Sequence, residues 1–215
     1  MILYHGSKSG IKGNIRAISR EACDFGQGFY TGDRPDQPKG LIAEYPNNMF
    51  YELESCLDEL SVKEFGNSYE EQIDWALFVA YNRGKLDSKY TKLCERYREY
   101  NERYDVIKGV IADDKMTQAL MRFFSGDICD KALIEALQKV RLGNQYVFKN
   151  DEACSEKYMK IISQKPLTEK EKKMEMAVSK QREGILDGIF EQLKTKYRRV
   201  QYVRYFDEII EEWNR

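Results

Sequence analysis

An octapeptide near the N-terminus, residues 24–31 (DFGQGFYT), constrains the fold more than any other stretch of the chain. Gly26 and Gly28 flank a single residue, so the backbone can adopt positive φ or approach a flat group closely, which a Cβ would prevent. Phe29 and Tyr30 place aromatic rings beside that backbone. The pattern fits a hairpin corner with buried rings and equally a binding loop for a planar ligand, so its meaning depends on the rest of the chain.

Composition limits the class of protein and its partners. The 35 basic and 36 acidic residues are nearly balanced, so no global field would attract nucleic acid or an anionic membrane. The apolar residues 1–4 are too few for a secretory signal, and no run is long enough to span a membrane. The five cysteines are scattered without a C-x-x-C pair, as in reduced proteins. We therefore expect a cytoplasmic protein without membrane contact.

The residue pattern predicts an α+β fold with strands of period-two or β-branched character. Strands are expected at residues 2–5, 29–31, 49–54, 60–65, 104–111 and 145–149. Two capping boxes, Ser68 with Glu71 and Thr168 with Glu171, predict helix starts. Further helices are expected at residues 89–103, 116–124, 131–140 and 206–213.

Two segments shape the expected domain organisation. Residues 32–48 are rich in proline and charge, which predicts an irregular, exposed loop. Residues 152–199 are rich in charge and are nearly all helix-forming. The expected arrangement is a body over residues 1–150 and a helical extension over residues 151–215 packed on it.

The common catalytic motifs are missing from the sequence. With one histidine and scattered cysteines there is no usual metal-ligand set, so no metal is expected. No nucleophile elbow or Walker loop is present, and the Gly-x-Gly of the octapeptide lacks the third glycine of a dinucleotide fingerprint. What remains is a set of polar and aromatic residues at strand ends: His5-Gly6-Ser7, then residues 28–31, and later residues 144–146.

These three segments resemble the H-Y-[E/Q] branch of the ADP-ribosyltransferase fold, which includes poly(ADP-ribose) polymerases and diphtheria-type toxins. The ordered set is also similar to a bacterial family of unknown function assigned to that fold, whose members are often toxins encoded beside a small antitoxin. The set comprises residues 3–7, Arg20, residues 24–30, Trp75, Asn82-Arg83, residues 104–114 and residues 145–148. The resemblance covers residues 1 to about 150 and implies a split, strongly bent β core with surrounding helices and a C-terminal helical extension.

The resemblance implies NAD as the substrate and a role for each matching residue. His5 would hydrogen-bond the adenosine ribose, and the Gly6 backbone would hold the nicotinamide amide. Tyr30 would stack on the nicotinamide ring, with Gly28 allowing close approach. The residues implied in NAD binding are His5, Gly6, Ser7, Arg20, Gly28, Phe29 and Tyr30. A structural role is the alternative for a lone histidine at a strand end and for a core tyrosine.

Gln145 occupies the position at which the polymerases carry a glutamate. Loss of nicotinamide proceeds through an oxocarbenium-like state, which a carboxylate stabilises and a neutral amide does not. A glutamine in place of that glutamate argues against elongation of an ADP-ribose polymer. Asp113 and Asp114, at the end of the 104–111 strand, are candidate replacements, although an aspartate there also suits a helix cap. The catalytic candidates are Gln145, Tyr30, His5, Asp113 and Asp114.

Two groups of basic residues have both a binding and a structural interpretation. Arg20 and Arg83 would pair with the NAD pyrophosphate or form salt bridges. A basic cluster near the C-terminus would bind nucleic-acid phosphate or form a solvated helix end. Its members are Lys194, Lys196, Arg198, Arg199 and Arg204.

The expected function is NAD-dependent mono-ADP-ribosyl transfer to an unidentified protein or nucleic acid, by a toxin or conflict protein held in check by an antitoxin. Three alternatives stay open. The first is an NAD glycohydrolase on the same fold, and the second is an inactive module that binds ADP-ribose, NAD or a partner protein. The third, which we consider weaker, is a relative acting on a terminal RNA phosphate.

Overall fold

The computed structural model describes residues 1–20, 22–111, 114–140 and 143–215, with the backbone alone for residues 114, 115, 140 and 179–187. The strands are β1 (Ile2–Ser7), β2 (Phe29–Gly32), β3 (Met49–Ser55), β4 (Val62–Glu64), β5 (Val106–Val110), β6 (Asn144–Phe148) and β7 (Met159–Lys165). The helices are α1 (Asp36–Ile42), α2 (Tyr69–Asn82), α3 (Thr91–Arg103), α4 (Asp114–Phe124), α5 (Asp130–Val140), α6 (Glu169–Tyr197) and α7 (Phe206–Trp213). The fold is α+β, which confirms the predicted class.

The strands form one mixed seven-stranded sheet in the order β4-β5-β6-β2-β1-β3-β7. The β4–β5 pair is parallel, and the other neighbouring strands are antiparallel. Strands β6, β2 and β1 therefore lie side by side in the middle of the sheet, although β6 is distant from the other two in sequence. This order brings the three segments singled out by the sequence onto neighbouring strands.

Apolar side chains cover both faces of the sheet. On one face, helices pack over Ile107 and Val147, and Trp75 of α2 is fully buried among them. On the other face, Phe29 and Phe148 belong to a second core closed by loop residues. Because successive residues of a strand point to opposite faces, β2 and β6 contribute to both cores.

The local helix signals are confirmed. Ser68 accepts a hydrogen bond from the backbone of Glu71, whose side chain returns to Ser68, and α2 begins there. Thr168 and Glu171 form the same reciprocal pair at the start of α6. Helix α7 occupies the predicted residues 206–213. These signals lie within a few residues of each other, so the sequence alone specifies them.

The prediction of an irregular segment over residues 32–48 is wrong in part, because Asp36–Ile42 form helix α1. Pro38 lies in the first turn of α1, where its missing N–H removes no intrahelical hydrogen bond. Ile42 is buried in a small cluster with Phe50 and Leu167. Packing against the sheet therefore stabilises a helix that its composition does not suggest.

The prediction that residues 152–199 are almost entirely helical is also wrong in part. Met159–Lys165 form β7, the edge strand that pairs with β3 along its length. Ile161 and Ile162 are adjacent and exposed, so the strand lacks the apolar–polar alternation that identifies a half-buried strand. Backbone pairing with β3, rather than its own pattern, determines this strand.

The C-terminal helices complete the core on the α2 side of the sheet. Phe190 and Leu193 of α6 and Phe206, Ile209 and Ile210 of α7 are buried in the cluster that contains Trp75. The helical extension therefore packs on the body and shares its hydrophobic core.

None of the helices in the described part of the chain is long and apolar enough to cross a membrane.

A polar cluster joins the C-terminal segment to the body. Asp130 is almost fully buried at the start of α5 and accepts a hydrogen bond from the backbone N–H of Arg204, at 3.0 Å. Tyr69 donates its hydroxyl to Asp130, and the Arg204 guanidinium donates to the Tyr69 oxygen at 2.6 Å. These partners satisfy a carboxylate that would be costly to bury alone.

Candidate functional site

The central feature of the site is an opened ladder between β1 and β2. The two strands pair at Tyr4 and Gly32, and no further pair forms between the described residues of β1 and β2. Strand β1 nevertheless continues to Ser7, paired with β3 on its other side. Residues 5–7 of β1 therefore face residues 29–31 of β2 without the usual backbone hydrogen bonds between them.

His5 bridges this opening. Its Nδ1 lies 2.7 Å from the carbonyl oxygen of Tyr30, so Nδ1 carries the proton and donates it. The imidazole packs on Phe29, with ring centroids 4.4 Å apart. Burial lowers the pKa of His5 below its ordinary value of 6.5, and the bond to the Tyr30 carbonyl opposes this only in part. His5 is therefore neutral at physiological pH, and Nε2 is a hydrogen-bond acceptor.

Tyr30 is held by its own octapeptide. Its hydroxyl donates to the carbonyl of Gly26 at 2.7 Å and accepts from the backbone N–H of Phe25 at 3.0 Å. Burial raises the pKa of the phenol well above its ordinary value. The ring is half-buried and fixed at its far end, so it is preorganised as a flat surface and does not act as an acid or a base.

The strand register separates the candidate side chains by face. Tyr30 lies opposite Val147 and Gly32 lies opposite Gln145, so Tyr30 and Gln145 share one face of the sheet. His5 alternates with Tyr4 and lies on the other face with Phe29. The imidazole reaches the Tyr30 carbonyl through the opened ladder, whereas Gln145 shares the sheet face of the Tyr30 side chain.

The glycines of the site are required by packing. A Cβ on Gly6 would lie 2.4 Å from the carbonyl oxygen of Pro38, because α1 crosses β1 there. A Cβ on Gly28 would meet Val147 and the backbone of Phe148. Gly26 has φ of +70°, which favours glycine. Close packing within the chain thus accounts for these glycines. The NAD contacts predicted for Gly6 and Gly28 stay predictions.

We expect Gly28→Ala to destabilise the protein by about 1–3 kcal/mol, the usual cost of overpacking. The new Cβ would lie 2.5 Å from Val147 Cγ1 and 2.7 Å from the Phe148 carbonyl oxygen. Gly40→Ala in α1 is the matched control, because nothing lies within 4 Å of its Cβ position. That variant should be more stable than the wild type, by up to about 1 kcal/mol. Urea denaturation measures both, and an unchanged midpoint for Gly28→Ala would contradict the packing.

Gln145 is buried, with 5% of its surface exposed, at the start of β6. No described atom meets the geometry of a hydrogen bond with its Nε2. Asp33 fixes the preceding residue, since its carboxylate accepts from the backbone N–H of Asn144 at 2.9 Å and from the Asn144 side chain at 3.0 Å. The backbone that carries Gln145 is therefore fixed, and Nε2 has no hydrogen bond of standard geometry to a described residue.

An ion pair between Arg83 and Asp24 lies beside Gln145. Arg83 Nε donates to the Asp24 carboxylate at 2.7 Å, and Arg83 Nη2 contacts the same carboxylate and donates to Thr117 Oγ1 at 2.9 Å. Burial raises the pKa of the Asp24 carboxyl, and Arg83, Gln145 and Arg20 oppose that rise. Arg83 thus forms the salt bridge considered from the sequence, and its contact with the NAD pyrophosphate stays a prediction. Asp24 adjoins the octapeptide glycines, and that position was the only signal that could have identified it.

Two other predicted residues, Ser7 and Arg20, lie at the margin of the site. Ser7 is half-exposed at the end of β1, and Arg20 is exposed on the loop before the octapeptide. Asp113 lies outside the described residues, and Asp114 is the first residue of α4, with its side chain not described. Within the described ranges, no group of three His, Cys, Asp or Glu residues is arranged to hold a metal ion.

Lys149, the residue that follows β6, binds the octapeptide through its side chain. Its ammonium donates to the Phe25 carbonyl at 2.6 Å and to Asn101 Oδ1 at 3.0 Å. Asn101 in turn donates to Asn82, and Asn82 donates to the Asp24 carbonyl at 3.2 Å. Burial lowers the pKa of Lys149 to about 8. A buried hydrogen-bonded network of this kind makes the backbone of the octapeptide rigid.

We expect the stability difference between the wild type and Lys149→Met to depend on pH. The folded pKa of about 8 lies below the ordinary 10.5, so the unfolded chain binds more protons between these values and wild-type stability rises with pH. The free energy of unfolding of the wild type should rise relative to that of the variant by on the order of 1–3 kcal/mol between pH 8 and pH 10.5. Urea denaturation at several pH values measures this, and a constant difference would contradict burial of the charge.

The comparisons with known proteins identify one family. The model of DUF3990, described as a protein of unknown function, matches residues 1–160, which include β1 to β6 and the whole candidate site. No curated protein and no solved structure was found to match the chain.

Proposed function

The chain belongs to DUF3990, a family of proteins of unknown function, and we propose from the geometry of its site that it is an NAD-dependent mono-ADP-ribosyltransferase. The observation that carries the proposal is the opened ladder between β1 and β2, bridged by His5 and flanked by Tyr30 and Gln145. An opening in the middle of a sheet offers unpaired backbone edges and fixed side chains to a ligand.

The groups around the opening suit the parts of NAD. The neutral His5 accepts a ribose hydroxyl at Nε2, because its Nδ1 proton is already donated to Tyr30. The Tyr30 ring offers an aromatic surface for the nicotinamide ring, and stacking of two aromatic rings is favourable. The free edge of β1 at Gly6 and Ser7 provides backbone donors and acceptors for the carboxamide. Each contact uses a group whose orientation the fold already determines.

The neutral side chain of Gln145 supports single transfer over polymer growth. An amide orients the ribose and carries no full charge to activate a hydroxyl of a growing ADP-ribose chain. The role of a toxin restrained by an antitoxin, and the protein or nucleic-acid acceptor, remain part of the proposal. The basic cluster is a weak argument for nucleic acid, since Lys194 pairs with Asp127, Lys196 with Glu135, and Arg204 with Glu212.

The test is nicotinamide release from NAD that carries one label on nicotinamide and another on adenine. The purified protein is assayed alone and with a bacterial lysate, and heat-denatured protein is the control. Release of nicotinamide with transfer of the adenine label to a macromolecule supports the proposal, and protease or nuclease treatment then identifies the acceptor class. Release with free ADP-ribose under both conditions would favour a glycohydrolase. Calorimetric binding of NAD without release would favour an inactive binding module.

A further inference from the structure

We infer that Asp24 is the carboxylate that contacts the reacting ribose, in place of the glutamate expected at the position of Gln145. This inference rests on the proposed function and names a residue for it. Asp24 begins the octapeptide, and the backbone N–H of the next residue, Phe25, donates to the Tyr30 hydroxyl at 3.0 Å. The Asp24 carboxyl also lies near Gln145 of β6. A carboxylate missing from one position of the site is thus supplied from the neighbouring loop.

The surroundings of Asp24 hold its carboxylate in a fixed place. Only 12% of its side-chain surface is exposed, and Arg83 contacts the oxygen Oδ1 with two nitrogens. The backbone carbonyl of Asp24 accepts from Asn82, and the next carbonyl, that of Phe25, accepts from Lys149. The other carboxylate oxygen, Oδ2, is not used by Arg83 in these contacts. Charge on a side chain this well held acts on a transition state without reorganisation of the protein.

The Gln145 amide connects Asp24 to the ligand position. Its Nε2 is buried without a partner of good hydrogen-bond geometry among the described residues. It nevertheless lies near enough to Asp24 to be one of the donors that lower the pKa of that carboxyl. A buried donor left unpaired costs free energy, so such groups usually have a role that the free protein does not show. Here the amide is placed to donate hydrogen bonds to the Asp24 carboxylate and to a ribose hydroxyl.

The chemistry balances with Asp24 as the only added group. The bond between C1′ of the ribose and the nicotinamide ring nitrogen breaks, and its electron pair leaves with nicotinamide. The negative charge of Asp24 stabilises the positive charge that develops on the ribose. An acceptor O–H or N–H then forms a bond to C1′, and its proton passes to the Asp24 carboxylate and from there to water. The products are nicotinamide, the ADP-ribosylated acceptor and one proton.

A purely structural ion pair between Asp24 and Arg83 is the competing explanation. Such a pair would hold the octapeptide against α2, and its loss would destabilise the fold and weaken NAD binding. Asp74 is a matched control for this effect. It is another buried carboxylate, paired with Lys63 at 3.3 Å and with Arg96 at 3.1 Å, and it also accepts hydrogen bonds from Tyr97 and Tyr100. None of these four partners belongs to the site.

The experiment measures nicotinamide release, KM for NAD and thermal stability for the wild type, Asp24→Asn, the double variant Asp24→Asn with Gln145→Glu, and Asp74→Asn. We expect Asp24→Asn to lower kcat by about 100-fold to 1000-fold, with KM changed less than about threefold. The double variant returns the carboxylate to the glutamate position and should recover at least about tenfold of that loss. Asp74→Asn should lower the melting temperature and leave kcat unchanged.

The outcomes separate the inference from the proposed function. No release by the wild type, with or without lysate, would overturn the function and the role of Asp24 with it. Release by the wild type together with an unchanged kcat in Asp24→Asn would overturn the role of Asp24 alone. A raised KM and lowered melting temperature in Asp24→Asn, with no recovery in the double variant, would assign Asp24 to the structural ion pair.

Discussion

Replacing His5 by alanine is expected to lower nicotinamide release by about 100-fold or more, the loss typical when a substrate is misplaced by about an ångström. The imidazole is the only side chain found to bridge β1 and β2 where their described residues do not pair, through its 2.7 Å bond to the Tyr30 carbonyl. Without it, the opening loses its fixed width and Nε2 no longer meets the ribose. The assay is steady-state release from labelled NAD.

Two further variants separate the roles of the two ring nitrogens. In His5→Asn the shorter amide can replace Nδ1 as donor to Tyr30 but cannot replace Nε2, so the fold should be retained and activity lost. In His5→Gln the longer amide can replace Nε2 as acceptor, and activity should be higher than in the asparagine variant. Wild-type turnover in His5→Ala with an unchanged melting temperature would remove His5 from the site.

The same residue predicts the acid side of the pH profile. Burial lowers the pKa of His5, so its neutral form persists at pH 6.5, where an ordinary histidine is half protonated. Below its folded pKa the ring becomes charged, Nε2 becomes a donor, and the contribution of this residue to stability is lost. The midpoint of the fall in activity on the acid side is therefore expected below pH 6.5, and a midpoint above 6.5 would contradict the neutral state.

Deleting residues 200–215 is expected to prevent cooperative folding. The deletion removes α7, whose Phe206, Ile209 and Ile210 are buried in the main core. Burying each such side chain stabilises a protein by about 1.5–3 kcal/mol, so the loss is about 5–9 kcal/mol. That is comparable to the whole stability of a typical domain, about 5–15 kcal/mol. The deletion also removes Arg204, which leaves the buried Asp130 without two of its contacts.

Thermal unfolding followed by circular dichroism measures the effect of the deletion. The truncated chain should show no sharp transition and should bind a dye that reports exposed apolar surface. Ile209→Ala is a milder test, with an expected loss of about 2–5 kcal/mol. Glu211→Ala, on the exposed side of α7, should change stability by less than about 0.5 kcal/mol. A truncated chain that unfolds cooperatively near the wild-type temperature would show that the helical extension is separable.

The sequence predicted much of the local structure, and the physical reason is the short range of the signals. Both capping boxes and the limits of α7 follow from residues three or four positions apart, and the tertiary structure does not alter them. The octapeptide and the candidate residues His5, Tyr30 and Gln145 were identified from residue type and order. Their placement on neighbouring strands followed from no local pattern and is a finding of the structure.

Only the tertiary structure determined α1, β7 and the surroundings of Asp24. Helix α1 exists because Ile42 packs on the sheet, and β7 exists because β3 offers a free edge. The contact between Asp24 and Arg83 joins residues far apart in the chain, and the pKa of Asp24 is set by burial that no sequence pattern expresses. Hydrogen-bonding and capping preferences act between neighbours along the chain, whereas desolvation and long-range pairing arise only when the chain has folded. The candidate residues could therefore be named from the sequence, whereas their burial, their pKa values and their long-range contacts depend on the fold.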